Sequence, residues 1–118
     1  MYSILHNSRD NVIGIKVIHE LKSEDYATLL PFTRQRILKH GAIRILTDLS
    51  EFDHPNHWAN LKAALRILRY AQFVEKDAII SDDPWVLNFA KIVSPWFKTE
   101  VRVFPTTKVD EAWNWINS

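Results

Sequence analysis

Aromatic side chains are concentrated in one segment of the sequence, SDDPWVLNFAKIVSPWFKTE (81–100). Trp85, Phe89, Trp96 and Phe97 lie within thirteen positions, in which Lys91 is the single charged residue. A surface this apolar can bind a lipophilic molecule, dock on a membrane, pair with a second copy of the chain, or pack into a core. The segment is therefore the first candidate for a functional site.

The spacing within this segment predicts a helix with an unusually wide apolar surface. It begins at Pro84, with Asp82 or Asp83 as its cap, and Pro95 ends or kinks it at Ser94. We call it the aromatic helix. At about 100° per residue its apolar arc covers about 160°, whereas packing on a sheet needs only ~100°. A slimmer half is predicted to pack on the sheet, and an aromatic half to face something else. The slimmer half comprises Val86, Ala90, Val93 and Phe97, and the aromatic half comprises Trp85, Phe89, Ile92 and Trp96.

A second predicted helix, from Pro55 to about Phe73, carries only positive charges. We call it the basic helix. Such a helix, with an apolar stripe and an interfacial Trp, fits anionic lipid headgroups or an apolar ligand that bears a carboxylate. A solvated basic face, balanced by acids such as Glu51 or Glu75, is the alternative. The apolar stripe is Trp58, Leu61, Ala64, Leu65 and Leu68, and the basic strip is Lys62, Arg66 and Arg69.

Together the two helices predict one binding site with aromatic walls and a cation at its mouth, where Lys62 or Arg66 would pair with an anion. A thick core, in which the aromatic half packs on a neighbouring helix, remains open as an alternative. The predicted ligand-binding residues are Trp58, Leu61, Lys62, Leu65, Arg66, Trp85, Phe89, Ile92 and Trp96. Arg69, Val93 and Phe97 are predicted to form a membrane or partner surface.

Other groups that could do chemistry have simpler explanations. His54 and His57 follow Asp53 with a spacing that suggests metal ligands, but no third or fourth ligand can be read from the sequence. Asp48, Asp82 and Asp83 could form a carboxylate cluster, yet helix capping and loop solvation account for all three. We therefore predict no catalytic residue, no metal and no cofactor.

Composition limits the class of protein. The chain has 118 residues, a net charge of +1 and no cysteine, which excludes a disulfide framework and thiol chemistry. Its two glycines exclude a glycine-rich phosphate loop, and its near-neutral charge argues against nucleic-acid binding. Residues 1–118 are expected to form one domain of a cytoplasmic protein, which could associate peripherally with a membrane.

The elements that must position these residues are predicted in the order ββαβαβαβα. Predicted strands are Tyr2–His6, Val12–Ile18, Ile43–Asp48, Asp77–Ser81 and Val101–Phe104, separated by helical segments. The first helix should begin at a Ser23 cap, bend or break at Pro31 and stop at Gly41, and Thr106 or Thr107 should cap the last one. This order predicts an α/β fold with a mixed, mostly parallel sheet of about five strands and about four helices.

The ordered set of segments resembles the SpoIIAA-like branch of the STAS-domain superfamily. The segments are NVIGIKVIHELKSEDYATLLP (11–31), AIRILTDLSEF (42–52), the basic helix, DAIISDD (77–83), EVRVFP (100–105) and EAWNWI (111–116). The resemblance implies a single STAS-like domain, and the branch is associated with apolar ligands held between mobile helices and with membrane surfaces. The phosphorylatable D-S-[ST]-G loop of STAS anti-sigma-factor antagonists is missing from DLSEFDHPNHW (48–58), where Ser50 is the only hydroxyl and the candidate phosphoacceptor.

Our interpretation is non-enzymatic binding of a lipophilic, anionic, fatty-acid-like ligand between the basic and aromatic helices, the second and third along the chain. The ligand or an anionic membrane surface would favour an open arrangement of the aromatic helix, which folds inward in water. The alternative is a STAS-like regulatory module, in which the same aromatic surface forms a homodimer or binds a partner protein.

Overall fold

The computed structural model describes residues 1–53, 71–93 and 98–118, without the side chains of Phe89, Ile92 and Val93. In this part of the chain five strands form one sheet in the order β1-β2-β3-β4-β5. β1 is antiparallel to β2, and each later strand is parallel to its neighbour. The strands are β1 (Tyr2–Ile4), β2 (Val12–His19), β3 (Ile43–Phe52), β4 (Val74–Ile80) and β5 (Glu100–Phe104). The helices are α1 (Ser23–His40), α2 (Pro84–Val93) and α3 (Val109–Asn117).

These elements confirm the predicted α/β fold with a mixed, mostly parallel sheet. The aromatic helix of the sequence is α2, which begins at Pro84 as predicted. The described residues contain three α-helices, against about four predicted, because most of the basic helix lies outside them; only its end, Ala71–Phe73, is described, as a 3-10 turn. β3 runs to Phe52 rather than Asp48, since its end pairs with the end of β2.

Helix α1 corrects two local predictions. Its N-cap is Lys22, not Ser23, and the Asp25 carboxylate accepts the Lys22 backbone N–H at 2.9 Å. Of the bend or break expected at Pro31, the break does not occur, because the helix continues through this residue. Pro31 is exposed, while buried residues before and after it (Tyr26, Leu29, Thr33 and Ile37) hold both halves of the helix in place. Gly41 ends the helix as predicted, with φ of 82°.

Each face of the sheet carries its own apolar cluster. Successive strands from β2 to β5 advance in one direction across the sheet, and parallel crossovers are almost always right-handed, so α1 and α2 lie on one face. We call this the α1 face, and the opposite one the α3 face. On the α3 face, helix α3 packs through Ala112 and Ile116, both 0% exposed, against Leu46, Ala78, Ile80 and Phe104.

The last helix is tied down through its aromatic residues and its carbonyl groups. Trp113 approaches the backbone of β2 at Gly14, where a Cβ atom would lie 2.6 Å from the ring. Trp115 covers β4 and β5 and lies 5.0 Å from Lys76 Nζ and 5.4 Å from Arg102 Cζ. The predicted threonine cap is wrong, because Lys108 occupies the N-cap and the Thr106 hydroxyl donates to Asp82 instead.

Candidate functional site

The two faces of the sheet differ in how completely they are covered. On the α3 face, Leu46, Ala78 and Ile80 are at most 1% exposed. On the α1 face, helix α1 buries the β2 side chains of Ile13, Ile15 and Val17, but coverage decreases toward β5. A parallel sheet normally has both faces covered, so the half-covered part of the α1 face is unusual.

This half-covered part consists of alternating residues on three neighbouring strands. Ile45 on β3 pairs with Asp77 on β4, which pairs with Val101 on β5. In the same way, Thr47 pairs with Ile79, which pairs with Val103. Paired residues of adjacent strands share a face, and Ile45 packs with the α1-face cluster, which assigns the whole set to that face. All six are half-buried. We call this set the floor: Ile45, Thr47, Asp77, Ile79, Val101 and Val103.

The centre of the floor is polar. The Thr47 hydroxyl donates a long hydrogen bond of 3.4 Å to Asp77 Oδ1. Among the described residues this is the only hydrogen bond of the Asp77 carboxyl group, and no described cation pairs with it. Burial raises the pKa of Asp77 to about 7, and the hydrogen bond from Thr47 opposes that rise. A carboxyl group and a hydroxyl therefore face the helices from an otherwise aliphatic surface.

Helix α2 begins with an ordinary cap at the carboxyl edge of β4. Asp83 Oδ1 accepts the Trp85 backbone N–H at 2.9 Å, and the Ser81 hydroxyl accepts the Asp83 N–H at 3.1 Å. This confirms Asp83 as the cap and Pro84 as the first helical residue. Asp82 points elsewhere: its carboxylate accepts the Thr106 N–H at 3.0 Å and the Thr106 hydroxyl at 2.5 Å, which lowers its pKa.

The two halves predicted for the aromatic helix are described only in part. Val86 and Ala90, from the slimmer half, are buried at 4% and 8% exposure, as predicted. Trp85, from the aromatic half, is half-buried, and Leu87, about 200° around the helix from it, is 40% exposed. The side chains of Phe89, Ile92 and Val93 are not described. Trp58, Leu61, Lys62, Leu65, Arg66, Arg69, Trp96 and Phe97 lie outside the described residues, so their predicted roles stay predictions.

The remaining chemical candidates have local partners. Asp48 Oδ1 accepts the Ser50 backbone N–H at 2.9 Å, and Ser50 is an exposed residue within β3, not a residue of a loop before a helix. His54 and His57 lie outside the described residues. In the described ranges, no three His, Asp or Glu side chains come close enough to hold a metal ion. Within those ranges, too, no helix is long and apolar enough to cross a membrane.

Thr47 and Asp77 are the residues that the sequence interpretation missed. Both lie in predicted strands, each next to aliphatic residues that indicate burial. A polar side chain in a strand buried on both faces must meet a partner or a ligand, and this was the available signal.

The comparisons with known proteins agree on fold and family. The SpoIIAA-like family model matches residues 12–117. The chain is similar to an uncharacterized protein of the DUF3478 family with a SpoIIAA-like fold from Shewanella loihica PV-4, known from a crystal structure. The two are 20% identical with a TM-score of 0.72, over 98% of this chain and 92% of that one. No curated protein sequence matches the chain.

Proposed function

Since the chain belongs to the SpoIIAA-like family, we propose that it is a non-enzymatic binding module that holds a lipophilic ligand against the floor, beneath the aromatic helix. The observation that carries the proposal is the half-burial of Ile45, Ile79, Val101 and Val103 on central and edge strands of a parallel sheet. On the opposite face, by contrast, α3 covers the aliphatic residues Leu46, Ala78 and Ile80. An apolar ligand would complete the coverage of the α1 face.

The outward face of helix α2, which carries Leu87 and Lys91, is proposed to dock reversibly on an anionic membrane. Helix α2 contains no acidic residue; it exposes Lys91 and leaves Leu87 40% exposed. An exposed aliphatic residue and a cation on one helix suit the boundary between headgroups and acyl chains. The basic helix would add Lys62 and Arg66, the predicted partners of an anionic group at the mouth of the site; both lie outside the described residues.

Tryptophan fluorescence tests this proposal. The wild-type chain is titrated with decanoic acid, decan-1-ol and vesicles of phosphatidylglycerol mixed with phosphatidylcholine. We expect a blue shift that is reduced in Trp85→Ala and retained in Trp113→Phe, since Trp113 packs on the α3 face. A wild-type spectrum that no probe changes, or a Trp85→Ala response equal to that of wild type, would overturn the proposal.

Light scattering separates the proposal from the regulatory-module alternative. A protein that is monomeric without lipid supports ligand binding on the aromatic surface. A stable dimer, in which Trp85 is shielded from an aqueous quencher in the absence of lipid, would replace the proposal with dimerisation or partner binding through that surface.

A further inference from the structure

The floor is apolar at its margins and polar at its centre. Ile45, Ile79, Val101 and Val103 supply aliphatic surface, while Thr47 and Asp77 supply one hydroxyl and one carboxyl group. A ligand that was hydrocarbon throughout would bury this carboxyl group with only a 3.4 Å hydrogen bond to satisfy it. Leaving a buried polar group without adequate partners costs free energy, so the centre of the floor favours a ligand with a polar atom at that point.

We propose that the Thr47–Asp77 pair recognises a neutral hydroxyl group at the end of the lipophilic ligand that reaches the floor, and disfavours a carboxylate there. This inference rests on the proposed function and narrows its ligand to hydroxyl-bearing apolar molecules, such as a long-chain alcohol. Any anionic group would lie at the other end, toward the mouth of the site.

The side chains of Thr47 and Asp77 differ in the hydrogen bonds that they can donate and accept. Thr47 has one hydroxyl hydrogen and two lone pairs, and ionised Asp77 only accepts. A ligand hydroxyl can donate to the Asp77 carboxylate or accept from the Asp77 carboxylic acid, so it matches both protonation states. A ligand carboxylate only accepts, and it would face a second carboxylate whenever Asp77 is ionised.

The surroundings of the pair strengthen this discrimination. Because burial raises the pKa of Asp77 to about 7, both protonation states of the carboxyl are populated near neutral pH. In the described part of the chain no Lys, Arg or His pairs with Asp77, so no described cation would offset the repulsion of a bound carboxylate. A ligand ester is the intermediate case, because it accepts a hydrogen bond but cannot donate one.

Three probes of equal chain length test the inference at pH 8.5: decan-1-ol, methyl decanoate and decanoate. Affinities are measured by fluorescence titration and calorimetry with wild type, Asp77→Leu and Thr47→Val. We expect wild type to bind decan-1-ol roughly tenfold more tightly than methyl decanoate, and decanoate most weakly. Asp77→Leu should lose the preference for the alcohol while still binding all three probes, and Thr47→Val should reduce that preference.

Asp48→Asn is the matched control. Asp48 alternates with Thr47 along β3, lies on the opposite face of the sheet, and bonds the Ser50 backbone. This variant should keep the wild-type order of affinities. If wild type and Asp77→Leu bind the probes in the same order with the same ratios, the inference is wrong and the binding function stands. If wild type binds none of the probes, the binding function itself fails.

Discussion

Asp77 is a carboxylic acid in the middle of a β-sheet, and its ionisation opposes folding. In the unfolded chain its pKa is near the ordinary 3.8, and in the folded chain it is about 7. Between these values the folded state holds a proton that the unfolded state has released. The free energy of unfolding therefore falls as pH rises from about 4 to about 7, and this contribution is constant above that range.

The pH dependence of stability tests this assignment. We expect Asp77→Asn to remove the decline, so that at pH 8 the variant is more stable than wild type by up to about 4 kcal/mol. Urea unfolding at a series of pH values measures the difference. Thr47→Val is the companion variant: it removes the hydrogen bond that lowers the pKa of Asp77, and should extend the decline to higher pH. Parallel curves for wild type and Asp77→Asn would contradict the prediction.

Gly14 is required by packing. Its backbone φ is not positive, but a Cβ atom would lie 2.6 Å from Trp113 Cη2 and 3.2 Å from Leu5 Cβ. We expect Gly14→Ala to lower the free energy of unfolding by about 1–3 kcal/mol, as overpacking usually does.

The second glycine provides the contrast for that measurement. At Gly41 an added Cβ meets no atom within 4 Å, but φ is +82°, so Gly41→Ala should cost about 1 kcal/mol through backbone strain. Adding Trp113→Phe should reduce the loss of unfolding free energy caused by Gly14→Ala and leave the loss caused by Gly41→Ala unchanged. Denaturant unfolding of the single and double variants gives the coupling, and a coupling near zero at Gly14 would refute the packing explanation.

At the scale of elements, Asp83 and Asp82 are neighbours with separate tasks. Asp83 caps helix α2, whereas Asp82 joins the end of β4 to Thr106 before α3. We expect Asp83→Ala to weaken α2 by about 1 kcal/mol, because the Trp85 N–H loses its acceptor. Hydrogen exchange of the α2 amide groups should accelerate in Asp83→Ala and stay at the wild-type rate in Asp82→Ala. Equal acceleration in both variants would show that the cap is not what holds the start of the helix.

The order of elements was predictable because it depends on local structure, which the spacing of apolar residues and the positions of turn residues indicate. Pro84 and Gly41 mark helix ends through their own backbone geometry, and the structure confirms both. A proline inside a helix costs free energy locally, which is why a break at Pro31 was expected. In the structure, buried residues on both sides of Pro31 outweigh that cost and the helix continues. Strand β3 was predicted too short because its extension depends on pairing with the end of β2, which is a contact between distant segments.

The candidate site was predictable only at its helical side. Helical periodicity placed Val86 and Ala90 inward, and both are buried. The floor depends on register: Thr47 and Asp77 meet only because Ile45 pairs with Asp77 across β3 and β4. The sequence alone does not specify that pairing.

At the scale of the molecule, the sheet separates stability from binding by assigning them to opposite faces. On the α3 face, helix α3 covers the apolar centre: Trp113 contacts the backbone at Gly14, and Arg44 Nη1 and Lys76 Nζ donate to the last carbonyl groups of α3 at 3.0 and 3.3 Å. Cations at the C-terminal end of a helix also interact favourably with the negative end of the helix dipole. The floor on the α1 face, in contrast, is only half-buried.

Two tryptophans of the described residues should therefore respond differently to truncation. Trp113→Ala removes a side chain of the α3-face core and should lower the free energy of unfolding by roughly 2–4 kcal/mol, which is a fall in Tm on the order of 10 °C. Trp85→Ala should cost about 1 kcal/mol, since Trp85 is half-buried at the end of a short helix. Thermal unfolding in the absence of lipid measures both variants. The reverse ranking would mean that α2 belongs to the core, and the α1 face would then have no surface to spare for a ligand.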